Sequence, residues 1–180
     1  NTYKGNIRLR SGLVNSVNTV TVQLAHLVGI KNVINVAQKF GINSNLSENL
    51  SLALGSSEVS LLDLTSAYAG ILNQGRSVRP RGWLDLRLKS ETDVLIQSIK
   101  ENSEPILDRG VSKSLIKLLA LAVEDGTGKQ AKINGWHIAG KTGTSQDARD
   151  AWFVGFTSKY VVGVWMGFDD NRPLKGIVGG

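Results

Sequence analysis

Cysteine is absent from the chain of 180 residues, so the sequence supplies neither a disulfide nor a thiolate metal site. Histidine is scarce: His26 and His137 are far apart, with no neighbours at the spacing of a metal site and nothing nearby that suggests a Ser-His-Asp triad. We therefore expect both histidines to be structural and expect no metal site. The lack of cysteine fits any compartment and favours an extracytoplasmic one only slightly.

Long apolar runs and clusters of positive charge are also missing. No stretch approaches the roughly 18–20 apolar residues of a membrane span, and the opening NTYKGNIRLR lacks the apolar core of a signal peptide. The net charge is +6, but the lysines and arginines are scattered, so we expect a solvated surface and no nucleic-acid partner. The length suits one globular domain, although the abrupt start and the ending GIVGG lead us to expect that both ends are cut.

The first part of the sequence is mainly helical in its pattern. Apolar residues recur at helical spacing in residues 19–28, 31–40, 60–75 and 111–128. Gly29 and Gly41 follow the first two segments and can end them, although frequent β-branched residues leave strands as the alternative there. Ser60 and Asp63 make a start that resembles a capping box, and Gly75 is a candidate for the end of that helix.

The last part of the sequence predicts strands. Extended segments are predicted for residues 135–144, 150–157 and 160–168, with a tight turn at residues 157–160 between the latter two. Earlier in the chain, residues 83–102 alternate in a way that predicts a hairpin folded around the polar KSETD. Helices first and an antiparallel sheet last predict the α+β class, not alternating βαβ units.

The segment GWHIAGKTGTS, residues 135–145, fits two motifs. Read from Gly135, it matches the phosphate-binding pattern G-x-x-x-x-G-K-[ST]. However, the intervening WHIA has strand character where a P-loop needs a bent polar loop, and no apolar helix follows. We therefore expect no nucleotide site, and we expect Asp169 and Asp170 to be solvated turn residues.

Read from Lys141, the same segment is K-T-G-T. Gly143 lets a peptide backbone approach the strand closely and pair with its edge. The Lys141 ammonium supplies a positive field, the Thr142 and Thr144 hydroxyls can bind a carboxylate, and a backbone N–H can serve an oxyanion hole. The motif thus suits a peptide with a free carboxylate, whereas a plain polar turn is the alternative when the motif is taken by itself.

The surroundings of this motif resemble the class A penicillin-binding proteins, the bifunctional peptidoglycan synthases of bacteria. HIAGKTGTSQDARDAWFVGFTSKYVVGVWMGFDDN is similar to the third-motif region of that family. LALGSSEVSLLDLTSAYAGILNQG is similar to the segment between its second and third motifs. The resemblance runs from about Ile7 to about Pro173 in family order. It implies that residues 1–180 are the C-terminal portion of a transpeptidase domain with the penicillin-binding fold.

The family's second motif, S-x-N, fits two places in the sequence. Ser16 and Asn18 precede an apolar helix that ends in glycine, as in the family, whereas Ser47 and Asn49 fall in a later segment. We choose Ser16 and Asn18. The resemblance implies that the Ser16 hydroxyl relays a proton near a catalytic lysine and that the Asn18 amide holds that lysine and the substrate. For Ser16 alone, a simple helix cap is the alternative.

The family's first motif, S-x-x-K, carries the nucleophilic serine and precedes S-x-N. The chain offers only Ser114 with Lys117, which lies after S-x-N and on the polar face of a predicted helix, so we interpret it as a chance match. We expect the nucleophile and the glycosyltransferase domain of the family to lie upstream of Asn1, and this chain to be unable to acylate by itself.

The resemblance also implies the reaction and its setting. The parent protein is expected to cross-link peptidoglycan stem peptides that end in D-Ala-D-Ala by acyl transfer, without metal or organic cofactor, and to be inhibited by β-lactams. It would be anchored in the inner membrane, with its catalytic domain on the periplasmic side. The alternatives are a serine β-lactamase or D,D-carboxypeptidase of the same superfold, or a non-catalytic binding module. An incomplete domain exposes core surface, so contact between copies of the chain is also expected.

Overall fold

The computed structural model describes residues 5–88, 94–97, 104–177 and 179. Within these ranges the helices are α1 (Leu9–Val14), α2 (Asn18–Val28), α3 (Ile30–Lys39), α4 (Leu61–Leu72) and α5 (Arg109–Glu124). The strands are β1 (Asp85–Arg87), β2 (Val94–Gln97), β3 (Ala139–Thr144), β4 (Asp150–Phe156) and β5 (Val161–Gly167). Short 3-10 turns cover Leu50–Leu54, Lys129–Ala131 and Gln146–Ala148. The predicted α+β class is confirmed.

Gly29 divides the first two predicted helices. Its φ of 83° lies in the left-handed region that glycine adopts without a Cβ clash, so α2 ends there and α3 begins with the next residue. The strand alternative for this region is therefore wrong. In the described residues no single helix has the length and apolar composition of a membrane span; α2 and α3 pass that test only as a pair, which is bent by 91°.

Side-chain caps fix the starts of the two longer helices. The Ser60 hydroxyl accepts a hydrogen bond from the Asp63 N–H at 3.0 Å, as the sequence predicts for the start of α4. The Asp108 carboxylate accepts from the Gly110 N–H at 2.6 Å and starts α5 two residues before the predicted segment. The helix end predicted at Gly75 is displaced, because the C-cap of α4 is Asn73.

The C-terminal strands form a three-stranded antiparallel sheet in the order β3-β4-β5. β3 pairs with β4 from Ala139 opposite Phe156 to Thr144 opposite Ala151, so β3 lies at an edge of this sheet. The Thr157 N–H donates to the Tyr160 carbonyl at 2.9 Å and closes the predicted turn between β4 and β5. The predicted extended segment from Gly135 is only partly right, because Gly135 lies in a turn with φ 81° and the strand begins at Ala139.

Helices α4 and α5 pack against the sheet and create one of the two buried apolar clusters of the described residues. Leu119, Ala139 and Phe156 form this cluster, and Tyr68 and Leu72 of α4 pack against it. Phe40, Ile42 and Ala67 form the other, between α3 and α4. The sheet's position against α5 therefore depends on β3, because Ala139 at its start is part of the shared core.

The predicted hairpin near the middle of the chain is also present. β1 and β2 pair antiparallel as a separate two-stranded sheet, with Asp85 opposite Gln97. The KSETD segment between them lies outside the described residues. Asp169 and Asp170 are exposed in a turn after β5, as predicted.

Candidate active site

Ser16 occupies the link between α1 and α2, and its position follows from the way α1 ends. The Ser16 N–H donates to the Leu13 carbonyl at 3.2 Å, and the Val17 N–H donates to the Gly12 carbonyl at 2.8 Å. This pair of bonds is the Schellman pattern, which places Ser16 at the position that glycine usually occupies. Ser16 accordingly has a φ of 52°, in the left-handed region.

The Ser16 hydroxyl is available for contacts outside its own helix. The N-cap of α2 is Val17, and no side chain caps that helix, so the alternative role of Ser16 as a helix cap is wrong. The Lys141 ammonium donates a hydrogen bond to Ser16 Oγ, although the two residues are 125 positions apart in the sequence. Two of the residues predicted for the site, one from each end of the chain, are therefore in direct contact.

Lys141 projects from β3 into a group of oxygen atoms. Its Nζ lies 3.2 Å from Thr127 Oγ1 and 3.3 Å from the Thr142 carbonyl oxygen, in addition to its contact with Ser16. Partial burial lowers the pKa of the Lys141 ammonium below that of a free lysine. In the described part of the chain no carboxylate forms an ion pair with it, so its charge is available for an external anion.

Thr127 connects Ser16 with Lys141 and Thr142, and it lies outside both motifs identified in the sequence. Its Oγ1 accepts a hydrogen bond from Thr142 Oγ1 at 2.8 Å and lies 3.4 Å from Ser16 Oγ. With Lys141, it completes a cluster of four polar side chains drawn from three parts of the chain. Its sequence signals are a hydroxyl between Gly126 and Gly128, directly after an apolar helix, and the resemblance of VEDGTGKQAKINGWHIAGKTGT to the family's approach to its third motif.

The loop that carries Thr127 is held against the end of α1. The Thr127 N–H donates to the Val14 carbonyl at 3.3 Å, and the Gly128 N–H donates to the Ala122 carbonyl at 2.9 Å. Gly126 has no room for a side chain, since a Cβ there would lie 2.8 Å from Val14 Cγ1 and 2.9 Å from Ala122 Cα. Because the same end of α1 also positions Ser16, the packing of α1 against α5 brings both hydroxyls together.

Gly143 and Thr144 complete the exposed end of β3. A Cβ at Gly143 would lie 3.3 Å from Trp152 Cβ, which is tight but not prohibitive. The Thr144 hydroxyl is exposed and accepts a hydrogen bond from the Gly179 N–H at 3.0 Å. The two threonines of the motif thus have different contacts: Thr142 donates to Thr127, and Thr144 accepts from the C-terminal segment.

Asn18 is the first residue of α2 and is exposed; within the described ranges its side-chain amide has no hydrogen-bond partner. The structure therefore places it two residues from Ser16 but does not bring it into contact with the lysine cluster.

The alternative motif residues Asn49 and Ser114, which were not chosen for the site, hydrogen-bond within their own local elements. Asn49 Oδ1 accepts from the Ser51 N–H at 3.0 Å and begins a 3-10 turn. Ser114 Oγ donates to the Gly110 carbonyl at 2.9 Å within α5, and both Ser114 and Lys117 are exposed. Asn49 and Ser114 thus each bond within their own turn or helix.

The geometry of residues 135–144 does not fit a phosphate-binding loop. Gly140 is buried inside β3, where a Cβ would lie 2.7 Å from Phe153 Cζ and 2.9 Å from the Val154 oxygen. Lys141 continues that strand and does not open a helix. Gly140 therefore serves the close packing of β3 against β4, and the nucleotide interpretation fails.

The arrangement consists of a half-buried ammonium, three hydroxyls and an exposed strand edge. The family profile described as penicillin binding protein transpeptidase domain matches residues 1–171 of the chain. The chain belongs to this family. The resemblance inferred from the sequence is thereby confirmed.

Similar proteins support the family membership in sequence and the fold in structure. Penicillin-binding protein 1A of Rickettsia typhi is 35% identical over 193 residues, covering 96% of this chain and 25% of the relative. The structure of penicillin-binding protein 1A from Haemophilus influenzae matches with a TM-score of 0.88 and 24% identity, covering 99% of this chain and 32% of that one. An imipenem acyl-enzyme complex of penicillin-binding protein A from M. tuberculosis matches with a TM-score of 0.83 and 22% identity, covering 99% and 46%. The chain thus spans about a quarter of the length of the curated relative.

Proposed function

We propose that the chain is part of a peptidoglycan D,D-transpeptidase that cross-links stem peptides ending in D-Ala-D-Ala. The contact between Ser16 Oγ and the Lys141 ammonium carries this proposal. It pairs a hydroxyl that can pass a proton with a cation that can attract a carboxylate, and it does so beside an exposed strand edge. An acyl transfer from a peptide with a free C-terminal carboxylate needs these groups together.

The proposed reaction has two steps. The hydroxyl oxygen of a nucleophilic serine bonds to the carbonyl carbon of the penultimate D-Ala, and the C–N bond to the terminal D-Ala breaks. The serine proton passes to the leaving nitrogen by way of Ser16. An amine of a second stem peptide then attacks the acyl-enzyme, forms the new amide and returns a proton to the serine oxygen.

The substrate would lie along β3. Lys141 and Thr144 are proposed to bind the terminal carboxylate, with Thr142, whose hydroxyl donates to Thr127, lining the same site, and Gly143 leaves room for the peptide backbone. The Thr144 N–H is proposed as one oxyanion donor and the N–H of the nucleophile as the other; loss of one such donor typically costs about 3–4 kcal/mol of transition-state stabilisation. Asn18 is proposed to hold the substrate amide and the lysine of the first motif from its exposed position at the start of α2.

We also propose that residues 1–180 are the C-terminal portion of the transpeptidase domain. In this proposal the nucleophilic serine and its lysine come from a segment upstream in the full-length protein, which also has a glycosyltransferase domain. The protein is proposed to be anchored in the inner membrane with this domain in the periplasm. Contact between copies through exposed apolar residues of β5, such as Val162 and Val164, stays a prediction that sedimentation of the purified chain tests.

Penicillin labelling tests the proposed function. β-Lactams mimic the substrate, and the M. tuberculosis relative is an imipenem acyl-enzyme complex. We expect a fluorescent penicillin to label the full-length protein covalently at a serine upstream of Asn1, and to leave the isolated chain of 180 residues unlabelled. Mapping the adduct by mass spectrometry to Ser114 would overturn the motif assignment. Rapid turnover of the β-lactam would favour the β-lactamase alternative, and no labelling would reject the enzyme.

A further inference from the structure

We propose that Thr127 is a positioning residue of this site: its hydroxyl holds Lys141 and Thr142 in place and orients the hydrogen bonds of Ser16. The inference rests on the proposed function, because it concerns how Ser16 passes a proton. It assigns a role to a residue outside the K-T-G and S-x-N motifs.

The hydrogen bonds of Thr127 leave its hydroxyl one orientation. A threonine hydroxyl has one proton to donate and two lone pairs to accept with. Lys141 Nζ, at 3.2 Å, is an ammonium and can only donate, and Thr142 Oγ1 donates at 2.8 Å. Both lone pairs are then occupied, so the Thr127 proton faces the remaining neighbour, Ser16 Oγ, at the longer distance of 3.4 Å.

This orientation has a consequence for Ser16. Its Oγ accepts from the Lys141 ammonium and also from the Thr127 hydroxyl, so both of its lone pairs face into the cluster. The Ser16 proton then has no acceptor among these three side chains and points away from them. A group that must give its proton to a leaving nitrogen is thereby oriented as a donor before the substrate arrives. The Lys141 ammonium, which donates to Ser16 Oγ, is placed to replace that proton.

Backbone hydrogen bonds fix the position of Thr127 relative to Ser16. The Thr127 N–H is bonded to the Val14 carbonyl, two residues before Ser16, so the two hydroxyls are held on the same end of α1. Thr142 is fixed independently by its pairing with Phe153 across β3 and β4. Thr127 therefore joins the helical side of the site to the sheet side through its side chain, in addition to the direct contact between Lys141 and Ser16.

Two substitutions in the full-length protein test the role of the hydroxyl. Thr127→Val keeps the shape and removes the hydroxyl, whereas Thr127→Ser keeps the hydroxyl. We expect the rate constant for acylation by penicillin to fall on the order of 10–100-fold in Thr127→Val, with the binding constant changed less than about threefold, and to recover within about threefold in Thr127→Ser. Thr65→Val is the matched control, since among the described residues the Thr65 hydroxyl bonds to the Leu61 carbonyl of its own helix alone, and it should acylate normally.

A double variant tests whether Thr127 acts through Ser16. If it does, Thr127→Val should slow acylation by a clearly smaller factor in the Ser16→Ala background than in the unmodified protein, where the contact with Ser16 is lost as well. Multiplied losses in the double variant, or equal losses in Thr127→Val and Thr127→Ser that follow their melting temperatures, would overturn the positioning role.

Failure of the proposed function would be recognised separately, as absence of labelling in the unmodified protein. Crystal structures of the unmodified protein and of Thr127→Val then decide the inference. Loss of the contact between Ser16 and Lys141, or reorientation of Thr142, in the variant supports it. An unchanged cluster contradicts it.

Discussion

The sheet side of the site, Lys141 to Thr144, lies on a strand in which each of six residues is paired with a residue of β4. The helical side, Ser16 and Thr127, lies in two short connections that a few hydrogen bonds hold at the end of α1. Position on the sheet side is thus tied to the stability of the whole sheet and its core. Position on the helical side depends on the turn at Ser16 and on a few hydrogen bonds of the Thr127 loop, so changes there should alter chemistry with little effect on stability.

Removal of the Lys141 charge should produce the largest effect on the sheet side. We expect Lys141→Met in the full-length protein to lower the efficiency of penicillin acylation by about a hundredfold or more, because the carboxylate loses its cation. The melting temperature should not fall, since the change removes a half-buried charge that has no ion-pair partner in the described structure. Lys159→Met, in the exposed turn after β4, is the control, and a loss of less than about threefold in Lys141→Met would contradict the proposed role.

The two glycines of β3 should separate stability from chemistry. Gly140→Ala places a Cβ 2.9 Å from the Val154 oxygen and the Gly155 Cα, backbone atoms that cannot move aside, and should lower the free energy of unfolding by roughly 1–3 kcal/mol. Gly143→Ala meets only Trp152 Cβ at 3.3 Å, so it should change stability little while slowing acylation. Thermal unfolding and labelling rates of both variants are the measurement; equal stability of the two would refute the packing argument.

Ser16 allows the matching test on the helical side. Because its φ of 52° is in the left-handed region, Ser16→Gly should stabilise the fold by about 1 kcal/mol relative to Ser16→Ala. Both variants lose the hydroxyl and should lose acylation to a similar degree. Chemical denaturation and penicillin labelling of the pair check this, and a glycine variant less stable than the alanine variant would show that the Schellman geometry is wrong.

A dependence of β-lactam binding on pH is expected to be smaller, because only a fraction of Lys141 loses its charge until the pH exceeds its pKa. Burial lowers the pKa of Lys141, so its positive charge is lost at a lower pH than that of a free lysine. Affinity for the β-lactam carboxylate should be constant at neutral pH and weaken as pH rises through this lowered pKa. Binding constants measured across the alkaline range should show the decline in the unmodified protein and its absence in Lys141→Met. A decline of equal size in both would assign the effect to another group.

Hydrophobic periodicity and helix-end residues predicted those parts of the fold that residues close in sequence determine. The glycine stop at Gly29, the Ser60 cap and the three C-terminal strands follow from periodicity and end signals within a few residues, and the structure has them. The start of β3 was predicted too early because Trp136 and Ile138 have the apolar character of strand residues, although Gly135 holds a turn before them. Local propensity does not show where a neighbouring strand stops pairing.

The site was predictable only in part, for a related reason. Lys141 and Thr142 belong to a contiguous motif, and Ser16 was found through the order of the family's motifs. Thr127 belongs to neither motif, and its role depends on packing of α1 against α5 across more than a hundred residues. The short helix α1, which sets this packing, was not among the helices that periodicity predicted.

The left-handed serine at the end of α1 has a practical consequence for engineering. A directed-evolution screen that rewards only heat resistance should replace Ser16 by glycine early, because the helix end itself favours glycine. The variants selected in such a screen would have a higher melting temperature and would no longer react with penicillin. A thermostable version of this protein therefore has to be selected with penicillin capture as a second criterion, and recovery of Ser16 under that double selection would mark the hydroxyl as retained for chemistry.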